Sequence, residues 1–124
     1  MQKIEAKFCT YLQKWIKYKM NYDKSFVWEA KVCRGGTFND KQLPEHQALA
    51  LRLCKKRFSY KISDFDQMQK PFDGFTMQNC EYAFVVILFN KTKRFYFIDV
   101  DNLPGHSFKQ DFAEKLAVFD GVYK

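Results

Sequence analysis

The feature that most constrains this chain is the run Tyr82-Ala83-Phe84-Val85-Val86-Ile87-Leu88-Phe89, whose only polar group is the Tyr82 hydroxyl. A short, nearly unbroken series of β-branched and aromatic side chains has no solvent face to offer. It reads as a central strand covered on both sides. The polar stretch from Lys91 to Arg94 turns the chain back into a partner strand over 95–100. A sheet centred on these strands needs helices to cover it.

The rest of the chain supplies them. From Ile4 the apolar residues Phe8, Tyr11, Leu12, Trp15 and Ile16 recur at helical spacing, with Lys7, Lys14, Lys17 and Lys19 mostly between them, which predicts an amphipathic helix with a basic outer side. Over 25–32 a period of two places Phe26, Trp28, Ala30 and Val32 on one face of a strand and Val27, Glu29 and Lys31 on the other. Gly35 and Gly36 mark an exposed loop over 33–43, and Pro44 opens a second helix running to about Lys56. Strands over 58–63 and 72–77 form a wide hairpin, and Ser107 caps a last helix bearing Phe108, Phe112, Leu116 and Phe119. The expected architecture is α/β: a single mixed β-sheet flanked by helices.

At 124 residues the chain is the size of one domain, and residues 1–124 are read as one. Its 47% hydrophobic and 19% aromatic content excludes the disordered class. The formal charge of +7 gives a field that gathers polyanions, although spare lysines also serve solubility, so charge by itself leaves both readings open. Cys9, Cys33, Cys54 and Cys80 are widely spaced, without a Cys-x-x-Cys pair, which argues against a structural zinc. The early charges Lys3, Glu5 and Lys7 break any secretory core, and no apolar run is long enough to span a bilayer. Reduced thiols in a cytoplasmic setting follow as the expectation.

Glu29 and Lys31 share a strand face. A carboxylate can hold a divalent ion, and an ammonium two residues on points the same way, where it can orient water or stabilise charge developing on a phosphate. Alternating charge on an exposed strand also arises simply from cross-strand pairing. The surroundings favour the chemical reading: a long helix before the motif, a Gly-bearing loop after it, and Glu45-His46-Gln47 at the start of the next helix.

With Trp28-Glu29-Ala30-Lys31, Thr37-Phe38, Glu45-His46-Gln47 and Ala83-Phe84-Val85-Val86-Ile87 in this order, the chain resembles the PD-(D/E)XK nuclease superfamily over residues 4–101. Within it, the likeness is to the Holliday-junction resolvases of archaea, Gram-positive bacteria and phages. The resemblance implies a restriction-endonuclease-like fold, a Mg²⁺ (or Mn²⁺) cofactor, hydrolysis of phosphodiester bonds in four-way or other branched DNA, and a two-fold homodimer. In that family an acidic residue on a strand just ahead of the Glu-x-Lys strand supplies a further metal ligand. Here the preceding segment offers only Asp23, outside the expected strand.

Lys70-Pro71-Phe72-Asp73-Gly74-Phe75 looks like the family's Asp-bearing strand, displaced downstream, so the resemblance implies a permuted hairpin that returns Asp73 to Glu29. An ordinary turn is the other reading of Pro, Asp and Gly in this order. Asp64 and Asp66 are further claimants to the same role. By the same resemblance Asp73, Glu29 and Glu5 are metal ligands, and Lys31, Glu29, Asp73 and Gln47 form the catalytic set. The helix macrodipole alone would also favour Glu5 in a first turn, and a solvent-facing role is the rival for Gln47. His46 and His106 receive no chemical role.

The candidate phosphate contacts are Lys14, Lys17, Arg34, Lys55, Lys56, Arg57, Lys91, Lys93 and Arg94, which carry affinity and no sequence choice. Beside the nuclease stand two alternatives: a nuclease for linear DNA, and a non-catalytic nucleic-acid-binding module that keeps the fold.

Overall fold

A computed structural model describes residues 2–62 and 71–124 of the chain. Helix α1 (Gln2–Tyr18) is followed by strand β1 (Val27–Cys33), the short strand β2 (Thr37–Phe38) and helix α2 (Glu45–Cys54). Strands β3 (Arg57–Lys61) and β4 (Gly74–Gln78) precede β5 (Ala83–Phe89) and β6 (Arg94–Asp99). The chain ends with β7 (Phe108–Lys109), α3 (Gln110–Leu116) and β8 (Phe119–Val122).

The main sheet has four strands in the order β1-β5-β6-β8. Strands β1 and β5 run parallel, with Glu29 opposite Val85 and Lys31 opposite Ile87, while β5–β6 and β6–β8 are antiparallel. Every residue of β5 is buried, as its unbroken apolar run requires. Its side chains alternate between two cores. Phe84, Val86 and Leu88 pack with Phe8 and Leu12 of α1, whereas Val85, Ile87 and Phe89 pack with Ala48 and Leu51 of α2 and Ala113 of α3. The fold is thus α1 on one face of the sheet and α2 with α3 on the other.

Asn39 ends the glycine loop by accepting the Lys41 N–H at 2.9 Å, and Gln42 reaches back to the Asn39 N–H at 3.3 Å. Pro44 then occupies the N-cap of α2, where its fixed backbone angle and missing N–H cost nothing. Between α2 and β5 the chain leaves the body as the β3–β4 hairpin and returns at Cys80, whose N–H donates to the Cys54 carbonyl at 3.3 Å.

Three expectations change. The strands do not form one sheet: β3–β4 and β2–β7 are separate two-stranded sheets beside the main one. The last helix begins only at Gln110, because Phe108 is a strand residue paired with Phe38. It also stops at Leu116, and Phe119 belongs to β8, where alternating burial, not helical spacing, seats it against Phe97. Gly121 lies against the ring of Phe95, so that a Cβ there would sit 2.4 Å from Phe95 Cζ. Among the described residues no helix is long and apolar enough to cross a membrane.

Candidate active site

The alternation of β1 fixes where its charges point. Trp28, Ala30 and Val32 join the α1 core, whereas Val27 and Cys33 join the α2 core. Glu29 and Lys31 therefore project on the α2 side. Their charged groups approach to 3.5 Å, with the Lys31 side chain 11% exposed and that of Glu29 32% exposed. An ammonium withdrawn from water to this degree needs an anion beside it, and Glu29 is that anion.

Glu29 opens into a pocket of about 170 Å³ that is also lined by Val27, Gln47, Leu51, Phe58 and Phe75. Gln47 enters from the first turn of α2, and its Oε1 is buried without a hydrogen-bond partner. Such an atom carries a desolvation penalty until a donor or a cation meets it. One wall of the pocket comes from the hairpin, through Phe58 and Phe75. Sequence reasoning did not single out these two aromatics, although Phe75 lies one strand period beyond Asp73.

Glu5 approaches from α1. Burial pushes the Cys9 thiol above its ordinary range, and the negative charges of Glu5 and then Glu29 push it further. Both carboxylates thus act on one α1 side chain at the exposed edge of β1.

Asp73 sits at the outer end of the hairpin, with its backbone carbonyl accepting the Ile62 N–H at 2.8 Å. Cross-strand register puts Phe75, Tyr60 and Phe58 on one hairpin face, the face that reaches the Glu29 pocket, and Asp73 stands in the bend just before β4. Its own side chain lines a neighbouring open concavity with Tyr60, Lys61 and Phe75. Among the described residues no three His, Cys, Asp or Glu side chains are grouped to hold a metal ion. Glu29 is brought to Lys31 as an ion pair and shares a pocket with Gln47; Asp73 does not join Glu29 and Glu5 in a ligand cluster. Asp64 and Asp66 lie outside the described residues.

The candidate phosphate contacts divide. Lys14 and Lys17 are exposed on the outer side of α1, with the Lys17 ammonium 5.3 Å from the Tyr18 ring centre. The Asn90 N–H donates to the Cys33 carbonyl at 2.9 Å, so Arg34 and the turn bearing Lys91, Lys93 and Arg94 lie at one end of the sheet. Lys93 donates to Asn90 at 2.7 Å, and Arg94 lies 3.7 Å from Asp120. Lys56 and Arg57 are exposed at the root of the hairpin, where Arg57 donates to Gln78 at 2.8 Å.

Lys55 differs from the others. Its ammonium donates to Asp99 at 2.7 Å and to Asp101 at 2.6 Å. Burial works to lower its pKa, but the bonds to Asp101 and Asp99 prevail and raise it. His46 is exposed, and His106 Nδ1 is engaged with the Ser107 carbonyl at 2.9 Å.

Comparison with protein-family models, curated proteins and solved structures gave no match.

Proposed function

We propose that this chain is a metal-dependent DNA endonuclease with a permuted restriction-endonuclease-like arrangement, acting on branched DNA of the Holliday-junction type as a homodimer. The observation that carries the reading is a pocket beside the edge strand lined by Glu29, which pairs with Lys31 at 3.5 Å, and by Gln47, whose Oε1 is buried without a hydrogen-bond partner. The rest of the pocket lining is apolar, which leaves the buried Gln47 oxygen without a donor there.

The donor chemistry fits Mg²⁺ or Mn²⁺, which take hard oxygen ligands and keep several waters. Glu29 and Gln47 Oε1 would hold the ion, with water filling its other positions; Glu5 and Asp73, which the resemblance adds to the set, are not grouped with them. Bound there, such an ion would neutralise phosphate charge and acidify a water molecule. Lys31 stands beside Glu29 to orient that water or to stabilise charge on the reacting phosphate. The exposed lysines and arginines outside the pocket hold the backbone in place.

The dispersed acids favour one second reading, a DNA-binding module without catalysis. Cleavage of matched four-way, nicked and linear DNA in Mg²⁺ separates the two. The nuclease reading expects junction cutting that is lost in Glu29→Gln and Lys31→Ala and reduced in Asp73→Asn. Wild-type protein that binds all three substrates and cuts none of them overturns it.

A further inference from the structure

We propose that the aromatic face of the β3–β4 hairpin is a stacking platform for unpaired nucleobases. The proposal rests on the nucleic-acid reading above and names a substrate subsite next to the Glu29 pocket.

Four rings run along this face. Phe58 and Tyr60 have centroids 6.1 Å apart; Tyr60 and Phe75 stack at 5.7 Å with planes 22° apart; Phe72 meets Phe75 edge-on at 6.5 Å. Phe58 and Phe75 also wall the Glu29 pocket, so the row starts at the candidate active site and leads outward. Toward its outer end Tyr60 is 53% exposed, Phe72 52% and Phe75 40%. A two-stranded hairpin has no core of its own in which to hide such rings, and a contiguous exposed aromatic patch of this kind marks an interaction surface.

Charge identifies the occupant. Lys56, Arg57 and Lys61 are exposed on the same narrow ribbon, Arg57 and Lys61 at strand positions that alternate with Phe58 and Tyr60, and among its described residues Asp73 is the one acid. A second copy docking through this face would bring two such basic strands together, whereas a polyanion is drawn to them. Flat aromatic faces beside cations suit a nucleic-acid strand, with backbone phosphates on the lysine and arginine side chains and bases on the rings. Base faces are available only where pairing is interrupted, as at a branch point or in a single strand. Stacking there would lead the strand toward Glu29 and Lys31.

The test is fluorescence anisotropy of the full chain, without divalent metal so that nothing is cut, against a labelled single strand, a blunt duplex of equal length and a four-way junction. Tyr60→Ala and Phe72→Ala should each weaken single-strand binding roughly five-fold to a hundred-fold, leave blunt-duplex binding within about two-fold, and keep the thermal midpoint; Tyr60→Trp should bind as wild type. Unchanged single-strand affinity in both alanine variants overturns the proposal. So does an equal loss on all three DNAs. A wild-type dimer in sedimentation that Tyr60→Ala converts to monomer without changing DNA affinity also overturns it, assigning the face to self-association. Different variants keep the readings apart: Glu29→Gln that still cuts in Mg²⁺ overturns the pocket reading and leaves the hairpin measurements standing, whereas Tyr60→Ala and Phe72→Ala that bind single strands as wild type overturn the stacking platform whatever Glu29→Gln does.

Discussion

Lys55 Nζ lies 2.7 Å from Oδ2 of Asp99, and the other oxygen of that carboxylate accepts the backbone N–H of Ala83 at 3.1 Å. One buried carboxylate thus ties the end of α2 to the first residue of the central strand and to the end of β6. Asp99→Ala leaves the Ala83 N–H without that acceptor and Lys55 with Asp101 alone. It should cost about 1–3 kcal/mol in chemical denaturation. Lys55→Ala should lower stability in the same assay while leaving DNA affinity within about two-fold, since this ammonium is held internally. Because the folded pKa of Lys55 is raised, its contribution is complete below the unfolded lysine value and fades as pH rises through the folded one. The stability difference between wild type and Lys55→Met should therefore shrink in strongly alkaline solution.

Cys9 reports on the acids near β1. Burial, Glu5 and Glu29 all raise its pKa, so at neutral pH its thiol should alkylate slowly. Glu5→Gln and Glu29→Gln should each lower that pKa and speed iodoacetamide labelling of Cys9, followed by peptide mass spectrometry. If Mg²⁺ binds beside these carboxylates, its addition should shift the pH profile of Cys9 labelling in the same direction, with no reference to cleavage. Labelling at wild-type rates in both glutamine variants would mean that neither carboxylate acts on the thiol.

The Glu29–Lys31 pair links stability and chemistry in opposite senses. Glu29→Gln leaves a nearly buried ammonium without its anion, and should lower both stability and cleavage, the latter by about 100-fold or more. Lys31→Met keeps the buried stem and removes the charge. It should abolish cleavage while stability stays level or rises. Equal destabilisation by both substitutions would count against Glu29 serving chiefly to neutralise Lys31.

Gly121 is placed by contact. A Cβ at this position would meet the buried ring of Phe95 at 2.4 Å, so Gly121→Ala should destabilise the fold by about 1–3 kcal/mol through overpacking. Phe95→Leu should relieve part of that cost in the double variant, measured by the same unfolding curve. Additive losses would show that the two positions do not press on one another.

What could be read in advance follows the range of the forces involved. The period of two in Val27–Cys33 assigned both faces of β1 correctly, because burial on each side is written residue by residue. Pairing of the hairpin was readable from two short strand-like runs on either side of a polar loop. Strand β8 was hidden because Phe119 stands three residues after Leu116, a spacing that also suits a helix; only the neighbouring β6 decides in favour of a strand. Strands β2 and β7 have two residues each, too few for any period to show. At the candidate site, the shared face of Glu29 and Lys31 is a local property and was visible. The internal capture of Lys55 joins positions 44 residues apart, and no local pattern announces it.

The neck of the hairpin carries a broader consequence. Backbone bonds close it, from the Asn79 N–H to the Lys56 carbonyl at 3.1 Å and from Cys80 to Cys54, so the parallel pairing of β1 with β5 is spanned by a route that does not depend on what lies beyond the neck. The hairpin surface away from Phe58 and Phe75, which wall the Glu29 pocket, can therefore be exchanged while sheet register is conserved. Substrate preference written there would be able to drift quickly, on a scaffold that has no reason to change.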